Sequence, residues 1–271
     1  MEKTSSKTHK AAESEKASKL ARLDMRHVES MRSIYDAIME QFPSDFGKAL
    51  SKKERAEKML SMTTLIYGEI DFDSFGICIE KIKQIYGKPN VGASGPQGVL
   101  QGRGGLFYDL GSGIGRAVIA AAVLHNFDVC TGIEILEGLH QASALVLEAY
   151  ETKGKSDLAR ATDTVVDMKH GDILDMEFKD WRDGDVVFAN STCFDDSLMH
   201  KIAALAVGMR KGSFFITFTK SLPIADFEVL EYELYDMSWG GATVYIHQKI
   251  TEPREISPDS DDDSEAVGSV K

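Results

Sequence analysis

The feature that most constrains the fold of this chain is a glycine-rich turn between an apolar strand and a helix. Residues 106–109 form a short, mostly apolar run that ends in an acid, and the turn reads Asp109-Leu110-Gly111-Ser112-Gly113-Ile114-Gly115. Glycines adopt backbone conformations that other residues avoid, and they leave the first turn of the following helix open to a ligand. The segment therefore predicts the first strand, turn and helix of a nucleotide-binding α/β sheet.

Predicted strands and helices alternate through the region after this turn. Strands are predicted at 106–109, 128–133, 165–170, 186–190 and 213–219, and helices at 115–125, 137–151 and 195–210. Two further segments, 227–234 and 242–248, alternate apolar and polar residues with no helix between them, which indicates an antiparallel pair. The pattern predicts a Rossmann-like, doubly wound α/β sheet of seven strands, mostly parallel, with an antiparallel C-terminal pair.

Three carboxylates lie at the ends of successive predicted strands and match the parts of one cofactor. Asp109 precedes the first glycine, where it can hold the ammonium of a methionine moiety. Glu134 ends the second strand, where it can accept hydrogen bonds from ribose, and Asp172 follows the third, where it can accept from the amine of adenine. These groups together predict a class I S-adenosylmethionine (SAM) site formed by Asp109, Gly111, Gly113, Gly115, Glu134 and Asp172. The alternative is a tight turn with solvated acids nearby.

Two other cofactors share part of this pattern. An acid about 20 residues after a glycine turn is also typical of NAD sites, but the negative charge of Asp109 would face the pyrophosphate there. A P-loop is excluded, because Gly-Lys-Ser or Gly-Lys-Thr is absent from the turn.

Charge and composition limit the partners. The formal net charge is −12, from 31 Lys and Arg against 43 Asp and Glu. Proteins that grip nucleic acid through phosphates usually present a basic face, so direct nucleic-acid contact is disfavoured and a basic protein substrate is favoured. No apolar stretch reaches the ~18 residues that span a bilayer, no secretory signal is recognised, and the three cysteines have no Cys-x-x-Cys spacing that would indicate a metal site.

Four segments are predicted along the chain. Residues 1–26 form a disordered basic tail, 27–105 a small helical N-terminal cap with a Gly-rich connection, 106–250 the SAM-binding catalytic domain, and 251–271 a disordered acidic tail. Both tails lack the apolar residues needed to form a core.

A more specific resemblance rests on motifs spread over residues 60–249. The motifs are Ile66-Tyr67-Gly68-Glu69, the Asp109–Gly115 turn, Gly132-Ile133-Glu134, Gly171-Asp172, Asn190-Ser191-Thr192-Cys193-Phe194, Met237-Ser238-Trp239 and Tyr245-Ile246-His247. In order and spacing they resemble the disruptor-of-telomeric-silencing family, the histone lysine methyltransferases that lack a SET domain. The resemblance implies a histone or nucleosome substrate and a nuclear location, with the cytoplasm as the alternative.

The resemblance also implies roles for further residues. Tyr67 and Glu69 belong to a loop that closes over the methionine end of SAM, and Ile173 packs on adenine. Asn190, Phe194 and Tyr245 surround the reacting lysine, and Asn190 also contacts the cofactor. An aromatic, water-poor channel lowers the pKa of a lysine by disfavouring its charged form, so no strong general base is required, and His247 is expected to be a packed histidine.

Departures from the family pattern leave other functions open. Ser191 and Thr192 replace a second Asn and an aromatic residue, Arg116 replaces a Gln, and Ile70 replaces a hydroxyl residue. One alternative is a methyltransferase of a non-histone protein or a small molecule. Another is a non-catalytic SAM-binding module that recruits partners.

Overall fold

The seven strands form one sheet. The computed structural model describes residues 23–59, 68–89, 98–158, 162–237 and 240–254. The strands are β1 (Leu106–Leu110), β2 (Val129–Glu134), β3 (Val165–His170), β4 (Val186–Ala189), β5 (Phe214–Phe218), β6 (Phe227–Met237) and β7 (Gly240–Lys249), in the spatial order β3-β2-β1-β4-β5-β7-β6. Neighbours among β1 to β5 pair in parallel, whereas β7 pairs antiparallel to both β5 and β6. The predicted fold class, a class I SAM-dependent methyltransferase fold, is confirmed.

Burial explains the sequences of the central strands. β4 reads Val-Val-Phe-Ala and β5 reads Phe-Phe-Ile-Thr-Phe, and every residue of both is buried. Parallel strands that are covered by helices on both faces have no solvent side, so they carry continuous apolar runs rather than an alternation.

In the described ranges, six α-helices of nine or more residues flank the sheet. They are α1 (Arg26–Met39), α2 (Phe46–Glu57), α3 (Phe72–Lys81), α4 (Arg116–Leu124), α5 (Glu137–Ala149) and α6 (Asp196–Ala206). A π-helical turn, Ile82–Tyr86, extends α3, and another, Tyr150–Gly154, extends α5 into a short helical piece, Lys155–Asp157. Short 3₁₀ helices at Met176–Asp183 and Ser191–Cys193 were not predicted, and the predicted helix 195–210 ends at Ala206.

The helices cover the sheet in two layers. On one face the N-terminal helices share a single apolar cluster with α4 and the sheet. This cluster includes Tyr35 and Phe75 from the N-terminal helices, Val118 from α4 and Phe188 from β4. On the other face α6 packs its Ile202 against the sheet. The N-terminal helices therefore complete the core of the sheet.

Parts of the predicted organisation lie outside the described residues. These parts are residues 1–22 and 255–271 of the two tails and residues 90–97 of the Gly-rich connection. The disorder of the tails stays a prediction. Within the described ranges, no helix is long and apolar enough to cross a membrane.

Candidate functional site

The glycine turn uses its backbone N–H groups internally. Gly111 and Ser112 donate to the Ile133 carbonyl at 2.9 and 3.0 Å, and Gly113 donates to Glu134 Oε2 at 2.7 Å. A phosphate-binding turn keeps such groups available for its ligand. The turn after β1 therefore provides open space above Gly111 rather than a cradle for pyrophosphate, which argues against NAD.

A cavity of about 390 Å³ lies above this turn, at the carboxyl ends of the parallel strands. Its volume falls in the usual range of small-molecule sites, roughly 300–1,000 Å³, and its place at the β1/β4 switch point is where open α/β sheets bind ligands. The cavity brings together six of the predicted site residues: Gly111, Glu134, Asp172, Ile173, Asn190 and Phe194.

A smaller recess of about 20 Å³ adjoins the cavity and shares Gly111 and Asn190 with it. Asp109, Glu69 and Arg116 also line this recess. Glu69 is buried and pairs with Arg116, whose Nε lies 2.8 Å from Glu69 Oε1. The ion pair fixes the Glu69 segment against the first turn of α4.

Asp109 is a buried carboxylate with an unsatisfied oxygen. Only 3% of its surface is exposed, and among the described residues its Oδ1 has no hydrogen-bond partner. Burial, followed by the nearby charge of Glu134, raises the pKa of Asp109 well above its usual value. A buried acceptor without a partner is costly, and a cationic donor in the recess would satisfy it. The ammonium of SAM has this chemistry, so Asp109 fits the predicted cofactor.

Glu134 is held by the backbone around it. Its Oε2 accepts from Gly113, and its Oε1 accepts from the Leu136 N–H at 2.8 Å. Burial raises the pKa of Glu134 despite these two donors. Because each carboxylate oxygen has two lone-pair positions, both oxygens can still accept from ribose hydroxyls. The two N–H donors fix the orientation of the carboxylate.

Asp172 and Ile173 lie together on the wall of the cavity. Asp172 Oδ1 accepts from the Leu174 N–H at 2.9 Å. Ile173 is buried, and its carbonyl accepts from Trp181 Nε1 at 3.0 Å. A fixed carboxylate beside an apolar side chain suits an adenine ring with its exocyclic amine.

Asn190 and Phe194 meet over the glycine turn. Asn190 Nδ2 donates to the Gly68 carbonyl at 3.0 Å, and its Oδ1 accepts from Thr192 Oγ1 at 3.0 Å. The Phe194 ring edge lies 3.5 Å from the position that a Cβ on Gly111 would occupy. The amide and the ring therefore border the same opening of the cavity.

Other predicted site residues are placed elsewhere. Tyr245 lies on β7 opposite Thr217 and stacks on Tyr232 and His247, with ring centroids 6.2 and 6.0 Å apart. It does not belong to the lining of the cavity. Gly113 and Gly115 support the turn from behind: Gly115 has a φ of +88°, and a Cβ there would lie 2.3 Å from Met168 Cε. Tyr67 and the Ser238-Trp239 pair lie outside the described residues.

His247 is a packed histidine, as expected. It is fully buried, its Nδ1 lies 2.9 Å from the Phe215 carbonyl, and its Nε2 accepts from the Leu222 N–H at 3.1 Å. Burial lowers the pKa of His247 to about 4. Both ring nitrogens are engaged, which excludes it as a general base.

The sequence did not lead us to predict that α6 forms part of the cavity wall. Ser197, Leu198 and Lys201 line the cavity with Phe194. Positions 197, 198 and 201 lie on one face of α6, as residues three and four apart in a helix do, so the spacing carried a signal for these three residues. Ser191 was also missed: it is fully buried, and its hydroxyl donates to the Phe218 carbonyl at 2.6 Å and accepts from the Phe218 N–H at 3.1 Å.

Comparison with protein families identifies a family that covers the region of the glycine turn and the sheet. The family model described as "Histone methylation protein DOT1" matches residues 96–239, just over half of the 271 residues. No curated protein matches the chain in sequence.

Several solved structures are similar to the chain at low identity. A mutant of MtNAS in complex with S-adenosylmethionine is 15% identical, covers 86% of this chain and 81% of its own, and has a TM-score of 0.45. A putative methyltransferase, yhhF, from Escherichia coli is 10% identical, covers 70% of this chain and 91% of its own, and has a TM-score of 0.47. A putative RNA methyltransferase from Pyrococcus horikoshii is 12% identical, covers 56% of this chain and 78% of its own, and has a TM-score of 0.40. Likenesses of this size carry no information on the substrate.

Proposed function

The chain belongs to the DOT1 histone methylation family, and from this premise we propose that it is a SAM-dependent protein lysine N-methyltransferase acting on a core histone. The observation that carries the proposal is Asp109, a buried carboxylate beside the glycine turn, one oxygen of which has no hydrogen-bond partner within the described part of the chain. The cofactor is SAM. Its sulfonium supplies an electrophilic methyl group.

The residues around the glycine turn bind different parts of SAM. Asp109 binds the ammonium, with Glu69 beside it in the recess, and Glu134 accepts from the ribose. Asp172 and Ile173 hold the adenine. Tyr67 lies outside the described residues, and its proposed place at the methionine end of SAM rests on the family resemblance alone.

Asn190 and Phe194 border the acceptor side. Both side chains lie at the opening of the cavity over Gly111, where an aromatic edge excludes water and keeps the incoming lysine amine neutral. The amide of Asn190 orients that amine. Tyr245, which does not line the cavity, is assigned to the acceptor side by the family resemblance alone. Positioning supplies most of the rate, because displacement at a sulfonium methyl needs alignment more than proton transfer.

Charge supports a basic acceptor. The net charge of −12 favours encounter with a basic protein over nucleic acid, and core histones are such proteins. We also propose a nuclear location, which the family's role in histone methylation supports.

A second candidate is a non-histone protein acceptor. The observation in its favour is Ser191, which ties its loop to β5 through both backbone groups of Phe218 at a position where the family carries Asn. An altered loop beside the acceptor can alter the choice of acceptor.

Transfer of label from SAM tests the proposal. The protein is incubated with methyl-labelled SAM and, separately, with free core histones, whole nucleosomes and a cell lysate, and the labelled residues are mapped by mass spectrometry. We expect label on a histone lysine. Label on another protein alone supports the second candidate, and no label in any incubation contradicts both.

A further inference from the structure

One face of β6 exposes apolar side chains where a water-facing sheet normally carries polar ones. Val229, Tyr232 and Leu234 are 42%, 66% and 69% exposed. A shift of register between Val229 and Glu231 marks a β-bulge, and a bulge re-aims the residues that follow it. The bulge is the reason why Tyr232 and Leu234 share a face with Val229.

The opposite face of the same strand is covered by α3. Lys81 at the end of α3 is fully buried and pairs with Glu231, while its Nζ lies 2.7 Å from Glu233 Oε2 and 2.6 Å from the Tyr235 hydroxyl. Residues 231, 233 and 235 therefore point to the covered side. Residues 232 and 234 point away from it, as the period of two along a strand requires.

β7 completes the exposed face. Tyr232 lies opposite Tyr245, and Leu234 lies opposite Thr243. The Tyr232 and Tyr245 rings stack with their centroids 6.2 Å apart. We call Val229, Tyr232, Leu234, Thr243 and Tyr245 the hairpin face.

The hairpin face is connected to the candidate site by hydrogen bonds. The Thr219 N–H donates to the Thr243 carbonyl at 2.6 Å, and the Thr219 hydroxyl donates to Thr192 Oγ1 at 3.2 Å. Thr192 in turn donates to Asn190 Oδ1. Thr219 holds a φ of +65°, a strained conformation for a β-branched residue that tends to persist at functional sites. The chain of bonds runs from the hairpin face to the mouth of the cavity.

The charge of the hairpin selects the kind of partner. Residues 227–249 carry four acids, Glu228, Glu231, Glu233 and Asp236, against one base, Lys249. Glu231 and Glu233 pair with Lys81 on the covered side, so with Lys81 counted the region has four acids against two bases. Lys249 is buried and lies 3.3 Å from Asp226. An apolar face on an acidic hairpin is complementary to a protein that is basic around an apolar contact.

We propose that the hairpin face is the docking surface for the basic protein whose lysine is methylated. This inference rests on the proposed function and assigns the contact that holds the acceptor next to Asn190. Exposed aromatic and aliphatic side chains in a contiguous patch are typical of interaction sites.

Direct binding of histones tests the docking surface without methyl transfer. The double variant Tyr232→Ser/Leu234→Ser is titrated with fluorescently labelled recombinant core histones, beside the wild type and Leu145→Ser, which removes an apolar side chain of 52% exposure from α5. We expect the double variant to bind at least about tenfold more weakly. We expect Leu145→Ser to match the wild type, and SAM affinity by calorimetry to be the same in all three proteins.

A second variant protects the test against misfolding. Val229 is 42% exposed on the hairpin face, and Val229→Lys, which adds a positive charge there, should weaken histone binding several-fold at low salt. Unchanged histone affinity in both hairpin variants, or an equal loss in Leu145→Ser, overturns the docking surface. A wild type that binds SAM but no histone overturns the proposed substrate and this surface with it. A wild-type dimer that the double variant dissolves assigns the face to a second copy and overturns the proposal.

Discussion

At the scale of single residues, the site depends on Asp109, a carboxylate whose burial is energetically unfavourable. Asp109 is buried beside Glu134, and one of its oxygens has no hydrogen-bond partner among the described residues. Because burial raises the pKa of Asp109, the charged form of this carboxyl is less favourable in the folded protein than in the unfolded chain. The residue therefore lowers the stability of the free protein, and binding of a cation offsets that cost.

The variant Asp109→Asn separates these two effects. The folded pKa lies above the unfolded value of about 3.9, so the penalty is absent below the unfolded pKa, grows as the pH rises, and is complete above the folded pKa. At pH 7 we expect the variant to melt a few degrees higher than the wild type, since about 1 kcal/mol moves Tm by about 2–4 °C at this size. We also expect SAM affinity to fall about 10- to 100-fold with the loss of a charged hydrogen bond.

Thermal melts at pH 4 to 8 and calorimetry with SAM check both parts. Asp175→Asn is the matched control, because Asp175 is exposed and its side chain caps no helix. A variant that melts lower than the wild type at pH 7, or that binds SAM equally well, contradicts the role of Asp109.

The sequence predicted the position and the ligand partner of Asp109 but not its raised pKa. The position of Asp109 before the glycines indicated an ammonium partner, whereas its protonation depends on burial by residues distant in sequence. Tyr245 shows a similar limit. Its motif was recognisable, but its placement on β7 depends on strand pairing and a bulge that no short pattern encodes.

At the scale of elements, helix α2 holds the cofactor wall in place through one residue. Glu54 accepts from the Glu137 and Gly138 N–H groups at 3.0 and 2.7 Å, and so caps α5 from outside. Burial alone would raise the pKa of Glu54, but the Lys58 ammonium and the two N–H donors outweigh it and lower the pKa. The first turn of α5 carries Leu139, which lines the cavity.

Removal of this cap should affect stability and binding together. We expect Glu54→Ala to lower the free energy of unfolding by about 0.5–2 kcal/mol, as the loss of a helix cap does, and to weaken SAM binding because the α5 wall loosens. Since the folded pKa is lowered, the contribution of Glu54 is present above the unfolded pKa and is lost as the pH falls through the folded one.

Denaturant titrations at pH 7 and at acid pH measure the difference. Glu57→Ala is the control on the same helix. The Glu57 side chain is 63% exposed, and its ion pair with the Lys53 ammonium is long, at 3.9 Å. An equal loss in the two variants at pH 7 counts against the capping role.

Helix α2 also shows what the sequence could not predict at this scale. Its residues, Phe-Gly-Lys-Ala-Leu-Ser-Lys-Lys-Glu-Arg-Ala-Glu, are mostly polar, and only Gly47, Ser51 and Glu54 are buried. The helix docks by hydrogen bonds to α5 and by two partly buried apolar residues, Phe46 and Leu50, so the apolar periodicity was too short to predict it. Helices α4 and α5 were predictable because apolar faces pack them on the sheet.

At the scale of the whole molecule, the order of the strands follows from two alternations that the sequence displays. Strands followed by helices predicted the parallel part, and two strands without a helix predicted the antiparallel end, both of which the structure confirms. The cavity arises where the connections diverge from β1 and β4, so its place was predictable from topology. Its α6 wall and the exposed hairpin face were not, because they depend on how layers cover the sheet.

The central claim is that this cavity holds SAM over the glycine turn, and calorimetric titration of SAM into Gly111→Arg tests it most directly. Gly111 has a φ of +81° and lines the cavity, so an arginine there is strained and enters the space of the ligand. Gly102→Arg is the control, because nothing lies within 4 Å of a Cβ at Gly102. We expect one-to-one binding by the wild type and Gly102→Arg and none by Gly111→Arg. Equal binding by all three proteins, or no binding by the wild type, contradicts the account.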